Sequence, residues 1–237
     1  MYPAWVIVAL IAVSLVIVGP FLNYAAPDSW LDWLASPVGS LVLTAVLYFL
    51  TTLVVIAPMA IVRRLGVRQL LQRLGMAARF RLVMVPWSLL AWGLYFGASL
   101  MVMLVLSLLN ISGVDLSQNQ EIGFDNLTHG YEYVAAFVAL VVLAPLFEEI
   151  LFRGFLYGRL RRHAGFFLSA LLTSAAFAFV HFQLNVGIDV FVLSLFLCFL
   201  REKFDSIWPG VMVHALKNGI AYIALFILPL YGLNLIQ

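Results

Sequence analysis

Seven apolar runs dominate this sequence, and they constrain its solvent before anything else. They fall near 4–22, 38–62, 82–109, 131–156, 166–184, 186–200 and 206–229. A helix that crosses about 30 Å of hydrocarbon needs about 20 residues. In lipid every backbone N–H and C=O must be satisfied within the protein, which leaves helices or closed barrels. The period-two alternation of a membrane barrel is absent from these runs. The expected fold is therefore all-α: a polytopic membrane protein, a bundle of about seven or eight transmembrane helices. An eighth would come from the long third run, which is expected to kink or split at Pro86. The short sixth run is expected to be tilted or partly buried. Composition agrees, with 65% hydrophobic and 10% charged residues, against about 25% charged in soluble domains. The first run is long for a signal-peptide core and lacks a basic flank, so it reads as a retained helix. Residues 1–237 read as one transmembrane domain. Within it, 1–140 supply N-terminal membrane helices and 141–223 hold the residues that carry chemistry.

The segments between the runs sort by charge. Residues 63–81 hold Arg63, Arg64, Arg68, Arg73, Arg79 and Arg81 with no acid, and residues 157–165 hold Arg159, Arg161 and Arg162. Arg201 and Lys203 follow the sixth run, whereas 23–37 carry Asp28 and Asp32 with no base. The positive-inside rule puts the basic segments in the cytoplasm, the N-terminus inside and the C-terminus outside. Such arginines set topology and meet lipid headgroups, so no nucleic-acid partner is expected. The single cysteine, Cys198, lies in an apolar run and offers neither a disulfide nor a Cys-rich metal site.

Ionisable groups inside membrane helices are rare and face a bundle interior or a water cavity. Three clusters stand out here, each on a different expected helix. The first is Glu148, Glu149 and Arg153 in LFEEILFRGF. The second is His181 in FAFVHF. The third is His214 and Asn218 in VHALKN. Glu149 and Arg153 are four apart and share a helix face, with the acid on the favourable N-terminal side. Glu148 lies about 100° round from Glu149, so both carboxylates do not point at one arginine. One is expected to be held as an ion pair while the other faces a cavity. Phe177 and His181 are also four apart, which places an aromatic ring beside the imidazole. An unpaired carboxylate in apolar surroundings has the character of a general base. Read singly, each cluster has a structural alternative: Arg153 snorkelling to headgroups, or His181, His214 and Asn218 as interhelical hydrogen-bond partners.

Taken together, EEILFR, FAFVH and HALKN fit the patterns EExxxR, FxxxH and HxxxN, in that order. The chain from Leu143 to about Ile223 thereby resembles the CAAX protease and bacteriocin-processing family (CPBP, or Abi) of intramembrane endopeptidases. The Ras-converting CAAX endopeptidases are its eukaryotic relatives. The resemblance implies that Glu148 activates water as the general base and that His181 helps to hold that water. It also implies that His214 and Asn218 stabilise the oxyanion, with Glu149, Arg153 and Phe177 in support. Peptide hydrolysis needs such parts: a base, a positioned water, and donors where negative charge develops.

No cofactor is expected. The alternative is zinc held by Glu148, His181 and His214 with an open water position; no HExxH occurs, and these residues come from three runs. The expected function is hydrolysis of a peptide bond in a membrane-associated peptide or protein by glutamate-activated water. The expected location is a bacterial inner membrane, with the active site opening to the cytoplasmic side. Two other readings compete: a proton- or ion-coupled transporter with Glu148, His181 and His214 as a relay, and a catalytically inactive membrane scaffold or immunity protein. A transporter would more often show repeats or paired broken helices, and neither is visible in this sequence.

Overall fold

A computed structural model describes residues 28–109, 124 and 127–233. The expected first helix, 4–22, lies outside the described residues. Among these residues there are eight helices and no strand: α1 (Asp28–Ala35), α2 (Pro37–Val62), α3 (Val67–Arg73), α4 (Met84–Leu109), α5 (Gly130–Leu160), α6 (Phe166–Phe179), α7 (Leu184–Phe204) and α8 (Trp208–Tyr231). Five of them, α2, α4, α5, α7 and α8, are long and apolar enough to cross a membrane. The protein is an all-helical, polytopic membrane protein. Its outward faces agree: Leu100, Leu104 and Leu108 on α4 and Phe167 and Leu168 on α6 are exposed, as lipid-facing residues must be.

Helix ends depart from the apolar runs for local reasons. Helix α4 is continuous, and Pro86 neither kinks nor splits it. As the third residue of the helix, Pro86 lacks an N–H that would have had no intrahelical partner. The run 166–184 ends early as α6, at Phe179, and Phe182 takes a φ of +54° in the turn that follows. The short sixth run is partly buried, as expected, but the helix that holds it is longer. Helix α7 runs from Leu184 to Phe204 and carries Arg201, Glu202 and Lys203 in its last turns. Glu202 is held there by Tyr157, whose hydroxyl donates across 2.5 Å, and by Arg161 at 3.0 Å. Hydropathy stops at these charges, but the backbone does not.

Helix α7 packs against α6, α4 and α8, while α5 packs against α8 and α2. Met84, Leu193, Leu197 and Val213 are buried where α4, α7 and α8 meet. The arginine-rich stretch 63–81 is packed onto the bundle. Gly75 takes a φ of +72°, and its carbonyl accepts the Ile207 N–H at 3.1 Å. Burial, with Arg73, Arg63 and Arg159 nearby, holds the Arg162 guanidinium below its ordinary value. The basic segments thus gather at one end of the bundle: the ends of α2, α5 and α7 and the starts of α6 and α8.

Candidate active site

Two stretches of wide π-helix bracket the paired glutamates on α5. They cover Val138–Leu143 and Ile150–Tyr157, with ordinary α-helix at Ala144–Glu149 between them. The first has an identifiable cause. Pro145 has no N–H to give to Leu140, and the Ala144 N–H goes to the Ala139 carbonyl. The Leu140 carbonyl is thereby freed from the helix. Asn218 of α8 supplies the missing donor, Nδ2 to O at 2.9 Å. Inserted turns of this kind recur at functional sites because they re-aim side chains.

The two glutamates have different surroundings. Glu149 is fully buried and pairs with Arg153, Oε1 to Nη1, at 2.7 Å. The Arg153 guanidinium lies 4.5 Å above the Phe177 ring. The second oxygen of Glu149 rests against Gly210 of α8, where an added Cβ would fall 2.6 Å from it. Glu148 faces the other way, into a cavity, and is 17% exposed. Its Oε1 accepts the Tyr48 hydroxyl hydrogen at 2.6 Å, and its Oε2 lies 3.6 Å from His214 Nε2.

The histidines converge on the same point. His181 lies just past the end of α6, and its Nδ1 is 2.7 Å from the Phe177 carbonyl oxygen. A carbonyl only accepts, so Nδ1 carries the proton, and a neutral His181 presents Nε2 as an acceptor. The same bond satisfies one of the carbonyls that every helix end leaves orphaned. His214 stands between the two carboxylates, with Nδ1 3.4 Å from Glu149 and Nε2 3.6 Å from Glu148. A neutral imidazole has one N–H and serves one of them at a time. Phe177 meets both imidazoles edge-on, at 4.9 Å and 5.8 Å.

Glu148, His181, His214 and Asn218 line one cavity of about 220 Å³. Glu149, Arg153 and Phe177 stand behind it. From Glu148 the walls follow Ala144 and Leu140 along α5, Leu225 and Phe226 along α8, and Val186 at the start of α7. These positions lie away from the arginine-rich end. The walls therefore lead away from the side where the sequence suggested an opening. Among the described residues, no three His, Cys, Asp or Glu side chains form a set that would hold a metal ion.

Sequence reasoning missed two parts of this site. Tyr48 comes from α2, and nothing marks one tyrosine among the aromatic residues of an apolar run. Asp189 did carry a signal, since a carboxylate inside a membrane run is itself anomalous. It accepts hydrogen bonds from Tyr95 at 2.8 Å and Ser99 at 2.5 Å, and it lies 3.6 Å from Lys217. Lys217 lines the cavity one turn beyond His214.

Residues 130–220 match the family described as type II CAAX prenyl endopeptidase Rce1-like. The matched segment takes in α5, α6, α7 and about the first half of α8, and with them Glu148, Glu149, Arg153, Phe177, His181, His214 and Asn218. Among curated proteins, the "Putative membrane peptidase YdiL" of Bacillus subtilis (strain 168) is 29% identical over 77 residues. The matched stretch is 32% of each chain, so the alignment spans about a third of that relative. No solved structure matches the chain.

Proposed function

We propose that this protein is an intramembrane endopeptidase that hydrolyses a peptide bond of a membrane-associated peptide or protein. The observation that carries the reading is one cavity lined by Glu148, His181, His214 and Asn218, contributed by α5, α8 and the end of α6. Glu148 is the base. Tyr48 holds one of its oxygens, and the carboxylate takes a proton from a water that attacks the scissile carbonyl. The Nε2 acceptor of His181 orients that water. His214 and Asn218 face the same space and supply N–H donors as charge gathers on the carbonyl oxygen. The released amine then takes the proton from Glu148, which restores the carboxylate. The Glu149–Arg153 pair holds α5 in place. The resemblance to Rce1-like endopeptidases supports the same reading, and a bacterial inner membrane fits the arginine-rich end. The test is cleavage of a quenched peptide library in detergent by wild type and Glu148→Ala, with and without chelator. Wild-type cleavage that ignores chelator and disappears with Glu148→Ala is the expected result. Loss with chelator and return with zinc would make Glu148, His181 and His214 ligands instead.

A further inference from the structure

We propose that the basic end of the face formed by α4, α6 and α7 binds one anionic phospholipid. An apolar cavity of about 650 Å³ lies there, walled by Trp87, Leu90 and Leu94 of α4, Phe167 and Leu171 of α6, and Phe199 of α7. It shares no residue with the catalytic cavity. Leu90, Leu94, Phe167 and Leu171 are exposed, so it opens sideways, towards lipid. From Trp87 to Leu94 is about 10 Å of helix. The groove therefore runs inward from the charged end, parallel to the helices. That is the shape and polarity of an acyl chain hanging from a headgroup at the basic surface.

The charges at its mouth choose the headgroup. Lys203 Nζ sits 3.7 Å from the centre of the Trp87 ring, which is itself part of the wall. The Arg81 guanidinium lies 5.7 Å from the Phe204 ring, which Lys203 Nζ also approaches at 6.0 Å, so the two cations meet around one ring next to the wall. Among the described residues neither cation has a carboxylate partner. The two nearest acids in sequence are committed elsewhere, Glu202 to Arg161 and Asp205 to Arg201. Two uncompensated cations on the aromatic rings beside an apolar groove match a phosphodiester that carries net negative charge. A zwitterionic headgroup would bring a cation of its own to the same place.

Lipid binding at this groove is separate from the catalytic cavity. It is tested by native mass spectrometry of the full chain from micelles holding equimolar dioleoyl phosphatidylglycerol and dioleoyl phosphatidylcholine. One cation at a membrane surface contributes about a fivefold preference for anionic lipid. Wild type should retain one phosphatidylglycerol in clear preference to phosphatidylcholine. Combining Lys203→Gln with Arg81→Gln should remove the preference while phosphatidylcholine retention stays unchanged, which reports a folded chain. Arg68→Gln, exposed on α3, should keep it. Glycerol 3-phosphate, a headgroup without chains, should not displace the lipid. Equal retention of both lipids by wild type, equal loss with Arg68→Gln, or displacement by glycerol 3-phosphate would each overturn the proposal.

Discussion

The hydroxyl of Tyr48 donates to Oε1 of Glu148 across 2.6 Å, joining residues one hundred positions apart. The Tyr48 ring also stacks on Phe147, with centroids 5.6 Å apart. The contact fixes where the carboxylate points and leaves its other oxygen to His214. Hydrogen bonds to charged groups are worth about 1.5–3 kcal/mol. Tyr48→Phe keeps the ring and removes the donor, so kcat should fall by roughly 10- to 100-fold. Separate kcat and KM values check this. A change confined to KM would make Tyr48 a substrate contact instead.

Glu148→Gln should fold and fail to cleave. The amide keeps the shape of the side chain but does not accept a proton at working pH. Loss of a general base costs about 10²–10⁴ in rate. Single-turnover assays with matched melting curves measure both parts, and near wild-type cleavage would rule Glu148 out as the base.

Arg153→Ala should lower stability more than any substitution at the cavity wall. Both partners of the Glu149–Arg153 pair are fully buried, and removing one charge leaves the other uncompensated, at about 3–5 kcal/mol. Gly210→Ala attacks the same pair from α8, because its Cβ would fall 2.6 Å from the Glu149 carboxylate. Melting temperature in detergent reads both. An unchanged melting temperature for Arg153→Ala with activity lost would move Arg153 into the catalytic set.

Asn218→Ala should affect folding and chemistry together. It leaves the Leu140 carbonyl freed by Pro145 without its donor, at a cost of about 1–3 kcal/mol. It also removes an amide from the cavity. Wild-type stability in this variant would mean that water replaces the amide at Leu140.

The direction of the cavity is open to direct labelling. Leu225 and Val186 line it at helix ends away from the arginine-rich segments. Cys198, the single cysteine, is buried and gives little background. Leu225→Cys and Val186→Cys should react with an impermeant thiol reagent from the face opposite those segments. Labelling only from the arginine-rich face would place the opening where the charge pattern first suggested.

The sequence by itself determined the solvent and the class of fold. Runs of about 20 apolar residues have one stable form in lipid, so helices followed without reference to packing. It also exposed Glu148, Glu149, Arg153, His181, His214 and Asn218, because a polar group in such a run is costly and stands out. The four-residue spacing even placed Glu149 and Arg153 on one face, and they meet at 2.7 Å. Tertiary structure decided what spacing does not encode. Helix ends followed local contacts: Glu202 stays helical because Tyr157 and Arg161 reach it from α5 and the turn after it. Tyr48 became part of the site only because α2 packs on α5. The Asn218 amide faces Leu140 because Pro145 frees that carbonyl seventy-eight positions away. Asp189, Tyr95, Ser99 and Lys217 form a network across three helices, and no periodicity within one helix reports it. Periodicity records which side of a helix a residue occupies, whereas the neighbour it finds there depends on how the helices pack.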